Sequence, residues 1–573
     1  MKKTIPYGRA NYINLIQTNS YFVDKTSYIA KLEAIDNPIF LRPRKFGKSL
    51  LCSMLRYHYD LNYSDRFQEL FGHTWIGQNP TGNQNQYMVL SLNFSSIDVN
   101  RKYEDIENSF RVQNNPILSQ VQHAYKFYLT DMPEIRLDDT VTNNLHNLIT
   151  YIDSHNLPSL YIIIDEYDNF SNQLIVARDS VLYGKLTDDR SFLKSFFKTI
   201  KLGRELGSVA NTYITGVLPV MLDDLSSGYN IGTFLSLDPS FEHMLGFTQD
   251  EVDHLLDDIY HDYAIDPATR KEIDDIIKIH YNGYCFVDPE GEGLYNSTIL
   301  MYFLRYFVEH KKIPKRLTDT NLKTDISWVQ RLTASKPQFA EEFLKKLNIN
   351  EQISYDESLL IDKFNLDQFL DESYFPTSFF YLGLLTRKND FYLHLPNQNM
   401  RNIFMEYYNV TNHINVSTGY AHVMNRFVNN LDLEQLFDGY WELYISQLPE
   451  AIFTQVNENF YRTSFYELCN RHLSRWFTWN VERSYPSGKT DLEFVGKYHE
   501  KFANLRWVIE FKYYSGTKIK TDKIDLKSFE LKAADTIQIE GYVENLEKEY
   551  PEAQIRQFVI YCFSNHGYRI FEI

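Results

Sequence analysis

The stretch "FLRPRKFGKSLL", residues 40–51, decides the fold. It runs from a short apolar segment through Gly47-Lys48-Ser49 into a helical pattern, with Leu51, Met54, Leu55 and His58 spaced i, i+3, i+4, i+7. Strand, glycine-bearing loop and helix, in that order, are what a phosphate-binding loop requires. Backbone N–H groups at the helix start face the anion, a lysine reaches the outer phosphates, and a hydroxyl meets the magnesium. Gly47, Lys48 and Ser49 supply these parts, but the glycine that ordinarily opens such a loop, five residues before Gly47, is Arg42. A Gly-Lys-Ser tripeptide alone is common in unrelated sequences, so its surroundings must carry the reading.

Four apolar runs mark the first 220 residues: "PIFLR" (38–42), "YMVLSLNF" (87–94), "LYIIID" (160–165) and "NTYITGV" (211–217). Near-continuous apolar runs alternating with helical patterns predict a parallel sheet covered on both faces. Ligands of such folds lie beyond the carboxyl ends of the strands. "LRPRKFGKS", "DEYD" and "TGVLP" follow the first, third and fourth runs, so three polar loops converge on one edge. There Asp165 is placed to hold a hydrated magnesium ion, Glu166 to orient the attacking water, and Thr215 to sense the terminal phosphate or that water. Singly, each has a plainer reading as a solvated strand end; together they predict an NTP site. The acidic pair suits attack by water and disfavours a metabolic P-loop kinase.

At 573 residues the chain should form three or four domains. Hydrophobic residues at 43% and charged residues at 23% are globular values. The net charge of -17 argues against a surface coated for non-specific nucleic-acid binding, while leaving room for a local basic groove. Cys52, Cys285, Cys469 and Cys562 stand far apart without zinc-ligand spacing, which fits a reducing cytoplasm. No run approaches the ~18 apolar residues of a membrane span, so the expectation is a soluble cytoplasmic protein without membrane contact.

The segments "YFVDKT", "FLRPRKFGKSLL", "NPT", "LNFS", "IIIDEYD", "ITGVLPV", "LGFTQDEV", "YNGYCF" and "YNSTIL" occur in this order. In this the chain resembles the bacterial AAA-ATPase-like family whose members carry a C-terminal nuclease-like domain of the PD-(D/E)XK type. The resemblance spans residues 5–310 and the last hundred or so. It implies a loop of the form R-P-R-R-F-G-K-S, so the absent first glycine is a family trait and the loop binds ATP. It also implies that Arg44, Lys45 and Phe46 join Gly47, Lys48, Ser49, Asp165 and Thr215 around the nucleotide, with Ser49 and Asp165 on the magnesium.

For the carboxyl-terminal part the resemblance implies two acids holding magnesium beside a scissile phosphate and a lysine stabilising the developing charge. "SGKTDLEFV" puts Asp491 at the start of a strand, and "WVIEFKYY" puts Glu510 and Lys512 two apart on one strand face. Asp491 and Glu510 are the expected metal ligands and Lys512 the expected catalytic cation. Gln538 and Tyr542, one helical turn apart, resemble the family's helix beside the site. The family's acid on the preceding helix has no direct counterpart in "RTSFYELCN": Thr463 stands at its position, and Glu467, on the same helix face, is the candidate substitute. Lysines 512, 518, 520, 523, 527 and 532 form a local cluster that fits a phosphate-backbone track or a solvated loop.

The expected architecture is a multidomain α/β protein: a P-loop NTPase parallel sheet, a helical lid and middle region, and a restriction-endonuclease-like α/β domain. The expected segments are 1–235 (ATPase core), 236–310 (helical lid), 311–450 (mainly helical middle) and 451–573 (nuclease-like domain). Two functions follow: an ATP-hydrolysing protein coupled to a Mg²⁺-dependent nuclease acting on DNA or RNA, or a signalling or scaffold NTPase whose nuclease-like domain only binds nucleic acid or a protein. No arginine finger is assignable, which leaves completion of the ATP site within one chain or in a homo-oligomer equally open.

Overall fold

The structure is a computed structural model that describes residues 2–97, 102–169, 174, 180–220, 229–318, 337–361, 365–369 and 371–573. Parts of the segment 311–450, read from the sequence as mainly helical, lie outside the described residues. The chain forms two compact units. The first comprises Met1–Tyr263, Tyr284–Arg305 and Ser354–Leu393; the second comprises Ala264–Gly283, Tyr306–Ile353 and His394–Ile573.

In the first unit the four apolar runs become parallel strands β1 (Pro38–Leu41), β2 (Met88–Asn93), β3 (Leu160–Asp165) and β4 (Val209–Gly216). A two-residue edge strand, β5 (Thr233–Phe234), completes the order β2-β3-β4-β1-β5. All residues of β1 and β3 are buried, as strands covered on both faces must be. The registers Asn93↔Asp165 and Leu41↔Gly216 bring the carboxyl ends level, so the loops after β1, β3 and β4 leave from one edge. The predicted parallel sheet is present.

Helix α1 (Lys48–Tyr59) packs on β3, α2 (Tyr103–Ala124) on β2, and α3 (Val141–Ser154) lies between α2 and α4 (Phe192–Leu206), which packs on β4. Close approach of α4 to β4 requires Gly203. A β-carbon there would lie 2.6 Å from Val209 Cγ2 and 3.0 Å from Ile149 Cδ1. A further helix, α5 (Ser297–His310), begins within this unit.

In the second unit, α6 (Glu458–Leu473) precedes a mixed sheet ordered β10-β9-β8-β7-β6. Its strands are β6 (Phe477–Val481), β7 (Leu492–Gly496), β8 (Leu505–Tyr514), β9 (Gln554–Phe563) and β10 (Gly567–Glu572), with α7 (Ala533–Glu549) before β9. Only β8 and β9 run parallel. Strand alternation sends Trp507, Ile509 and Phe511 into a core with Phe465, Trp479 and Phe494, while Val508 and Tyr514 join Ile539 and Tyr542 of α7 on the other face. Glu510 and Lys512 are in step with Val508 and Tyr514, so they emerge under α7. β6 ends before Glu482, whose backbone takes the left-handed conformation (φ +53°). Strand β10 was not anticipated; its burial pattern is mixed, without the apolar run that marked the others.

Gly203→Val should push α4 away from β4 and destabilise the protein by ~1–3 kcal/mol. The midpoint of urea unfolding should fall accordingly.

Candidate active sites

The loop after β1 explains the arginine that stands where a glycine was expected. Arg42 is buried, with its guanidinium 4.4 Å from the ring centres of both Phe40 and Phe286. It donates to the carbonyl oxygens of Ser236 (2.6 Å) and Glu242 (3.3 Å). Burial lowers its pKa to about 10, which still leaves it charged at neutral pH. Phe46 is also buried and meets Tyr284 and Phe286 edge-on at 5.0 and 5.4 Å. Its ring therefore anchors the loop and does not line the cavity, so that any contact of Phe46 with a nucleotide would fall to its backbone. Gly47, at φ +99°, takes the left-handed turn that starts α1.

A cavity of about 390 Å³ opens beside this loop, lined by Arg44, Lys45, Gly47, Lys48, Ser49 and Glu166. Lys48 Nζ donates to the carbonyls of Arg42 and Pro43, both at 3.0 Å. Ser49 Oγ donates to Asp165 Oδ2 at 2.7 Å, and Asn93 Nδ2 donates to the same oxygen at 3.3 Å. Asp165 Oδ1 is buried without a hydrogen-bond partner among the described residues, and burial pushes this carboxyl above its usual range. An unpartnered buried oxygen beside a serine hydroxyl fits a magnesium ion, which favours oxygen ligands. Thr215 is placed differently from the expectation. It is fully buried, its hydroxyl donates to Phe40 O at 2.6 Å, and it does not line the cavity.

Two residues of "DEYD" have roles that the sequence reading missed. Asp168 Oδ2 accepts from the amides of Val217 (3.1 Å) and Leu218 (2.8 Å), and the Tyr167 hydroxyl donates to the Leu218 carbonyl. A β-carbon on Gly216 would lie 2.3 Å from Asp168 Oδ1, so the glycine lets the loops after β3 and β4 lock together. Burial first, then the charge of Glu166, raises Asp168 to about 6. The apolar side of the cavity comes from Pro6, Ala10, Phe22, Val23 and Met301. Scattered small and apolar residues carry no spacing signal, so this wall was invisible in the sequence.

In the second unit Asp491, Glu510 and Lys512 do come together. Asp491 Oδ2 accepts the amide of Phe511 at 2.7 Å. Lys512 Nζ donates to Glu510 Oε1 (2.9 Å) and Gln538 Oε1 (3.1 Å), while Gln538 Nε2 donates to Glu510 Oε1 and to the Tyr542 hydroxyl, both at 2.7 Å. Glu510 Oε2 is buried without a hydrogen-bond partner among the described residues. Burial and the neighbouring Asp491 push Glu510 up to about 8 against the pull of Lys512.

Glu467 does not join them. It accepts from Arg471 Nε at 3.0 Å and Asn409 Nδ2 at 3.4 Å, beside a small polar cavity that Arg316 also lines. The acid facing the cluster is Glu458, raised to about 7 by burial and then by Asp491. At 100° per residue, 467 lies half a turn round α6 from 458, whereas 458 and 462 share a face. The signal that could have found Glu458 is its place directly after the capping Asn457. Arg462, 2% exposed, donates to Glu482 (3.0 Å), Glu351 (3.1 Å) and Asp491 Oδ1 (3.4 Å). Among the described residues no three His, Cys, Asp or Glu side chains converge as a metal cage. A cation at either site would therefore rest on one or two carboxylates, with water and phosphate completing its shell, as suits magnesium.

Residues 6–226 match the family model described as predicted AAA-ATPase, and residues 456–572 match that of the PD-(D/E)XK nuclease superfamily. No curated protein matches this chain in sequence. A Walker-type ATPase of Pyrococcus abyssi, PABY2304, is similar in structure at 10% identity, with a TM-score of 0.43 over 70% of this chain and 100% of its own. No helix among the described residues is long and apolar enough to cross a membrane.

Because burial raises Asp168 to about 6 in the folded protein, above the value of about 3.9 usual for an aspartate in an unfolded chain, its contribution to stability should decline as pH rises from about 4 to about 6. Asp168→Asn should flatten that part of the profile of unfolding free energy against pH.

Proposed function

We propose that this chain, which joins an AAA-ATPase-like domain to a C-terminal PD-(D/E)XK nuclease-superfamily domain, binds and hydrolyses ATP with Mg²⁺ and couples this to metal-dependent cleavage of nucleic acid. The observation that carries the ATP reading is the 2.7 Å bond from Ser49 to Asp165, which leaves a second, unpartnered carboxylate oxygen beside the Lys48 cavity. Lys48, now on two loop carbonyls, is free to exchange them for phosphate oxygens. Ser49 and Asp165 would hold the magnesium, whose charge when bound offsets that of the phosphates. Glu166, on the cavity wall, would accept a hydrogen bond from water and orient it.

For the second activity, support comes from Glu510 Oε2, an unpartnered buried oxygen near Asp491, with Lys512 bonded to the same carboxylate. Asp491 and Glu510 would hold the cation, and Lys512 would stabilise negative charge on the scissile phosphate. The exposed lysines 518, 520, 523, 527 and 532 supply positive charge for a DNA or RNA backbone. One observation favours the second reading, an NTPase whose nuclease-like domain is silent. The guanidinium of Arg462 already gives Asp491 a positive partner.

Lys48→Ala should abolish Mg·ATP binding measured by calorimetry. Glu166→Gln should retain binding but slow turnover; wild-type turnover in that variant would show that another group orients the water. With single- and double-stranded DNA and RNA and Mg²⁺ or Mn²⁺, the wild type should cut, and Asp491→Ala or Lys512→Ala should lower the rate ~10²-fold or more without changing ATP hydrolysis. A wild type that cuts no substrate, with or without ATP, would establish the silent-domain reading instead.

A further inference from the structure

A loop that turns its amides toward phosphate turns its carbonyls outward, where each needs a donor. Every carbonyl from Arg42 to Gly47 has one. Arg42 and Pro43 share Lys48 Nζ, Phe46 O accepts from Gly246 N at 3.3 Å, and Gly47 O accepts from Leu51 N at 3.1 Å. The middle of the loop is held by the start of α5. Lys45 O accepts from Thr298 N at 3.2 Å and Ser297 Oγ at 3.4 Å, and Arg44 O accepts from Asn296 Nδ2 at 3.2 Å. Asn296, 4% exposed, also uses Oδ1 to accept the amide of Ile299 at 3.3 Å, capping the helix. One side chain thus joins the α5 cap to the outer face of the loop.

We propose that Asn296 is a positioning residue for nucleotide binding: by holding the Arg44 carbonyl outward it keeps the loop amides turned toward the phosphates. The inference rests on the ATP reading above. Its weight comes from the absent first glycine. Arg42 anchors the start of the loop and Phe46 its end, so the backbone between them depends on donors from α5.

Two substitutions separate this role from capping alone. Asn296→Asp keeps a capping oxygen of equal quality but sets an acceptor against the Arg44 carbonyl. Asn296→Ser keeps a capping oxygen, adds no charge and lacks the amide donor. Both should bind Mg·ATP and Mg·ADP about tenfold or more weakly, since the half-buried Arg44 carbonyl loses the donor that fixes its direction, while melting temperatures without nucleotide stay close to wild type. If both bind as tightly as the wild type, Asn296 is only a cap and the inference fails. Weakening in Asp alone would trace the effect to charge repulsion and overturn it equally. A wild type that takes up no ATP would remove the inference together with the nucleotide reading, a result distinct from tight wild-type binding with undisturbed variants.

Discussion

A backbone that offers its amides to an anion must find donors for its carbonyls, and in the first unit much of the structure after β4 serves that demand. Gly246 and the start of α5 meet the carbonyls of Arg44, Lys45 and Phe46 from outside. The same segments receive the loop's anchors: Arg42 reaches the carbonyls of Ser236 and Glu242, and Phe46 packs on Tyr284 and Phe286. A glycine at position 42 could make a tighter turn but none of these bonds. The arginine exchanges backbone freedom for a buried cation held by carbonyl dipoles and two aromatic faces. The unit therefore continues past the parallel sheet to Tyr284–Arg305.

In the second unit the organising problem is buried charge. Asp491, Glu510 and Arg462 are nearly inaccessible to water and Glu351 keeps only a small exposed fraction beside Arg462, and an ion so placed persists only with partners or by changing its protonation. Both solutions occur. Burial would raise Glu351, but Arg401 and Arg462 hold it down at about 2. Glu510, with Asp491 near it and only Lys512 to offset that charge, moves the other way, to about 8. Arg462 bridges three carboxylates, so losing any one would leave part of a buried cation uncompensated. The left-handed backbone of Glu482 interrupts the strand there, and its side chain completes this network.

The readable parts of the sequence were those whose chemistry is local. Four apolar runs became four parallel strands because burial on both faces leaves a continuous apolar signature. Ser49 and Asp165 met because Ser49 opens the helix that follows the loop after β1 while Asp165 ends β3, and parallel register brings both to one edge of the sheet. Glu510 and Lys512 shared a face because strand side chains alternate with period two. Thr215 was misread because a threonine at a strand end can donate sideways to its neighbour as easily as forward, and Phe40 O lies within reach. Glu467 was misread because a helix has several faces, and position relative to a motif does not say which one meets the sheet.

By itself, then, the sequence determined the strand–loop–helix unit with Lys48 and Ser49, the parallel sheet, and the pairing of Glu510 with Lys512, since periodicity and chain connectivity suffice for each. Tertiary structure alone decided the rest. Glu458 faces Asp491 because of how α6 is rotated on its sheet, and Asp168 caps the amides of Val217 and Leu218 because β3 and β4 end side by side. Asn296 stands 252 residues from the carbonyl it supports. Its segment, "YNSTIL", was marked by resemblance, but the sequence did not say which carbonyl it supports, because a hydrogen bond depends on where two atoms finish in space, and that follows only from packing the whole unit.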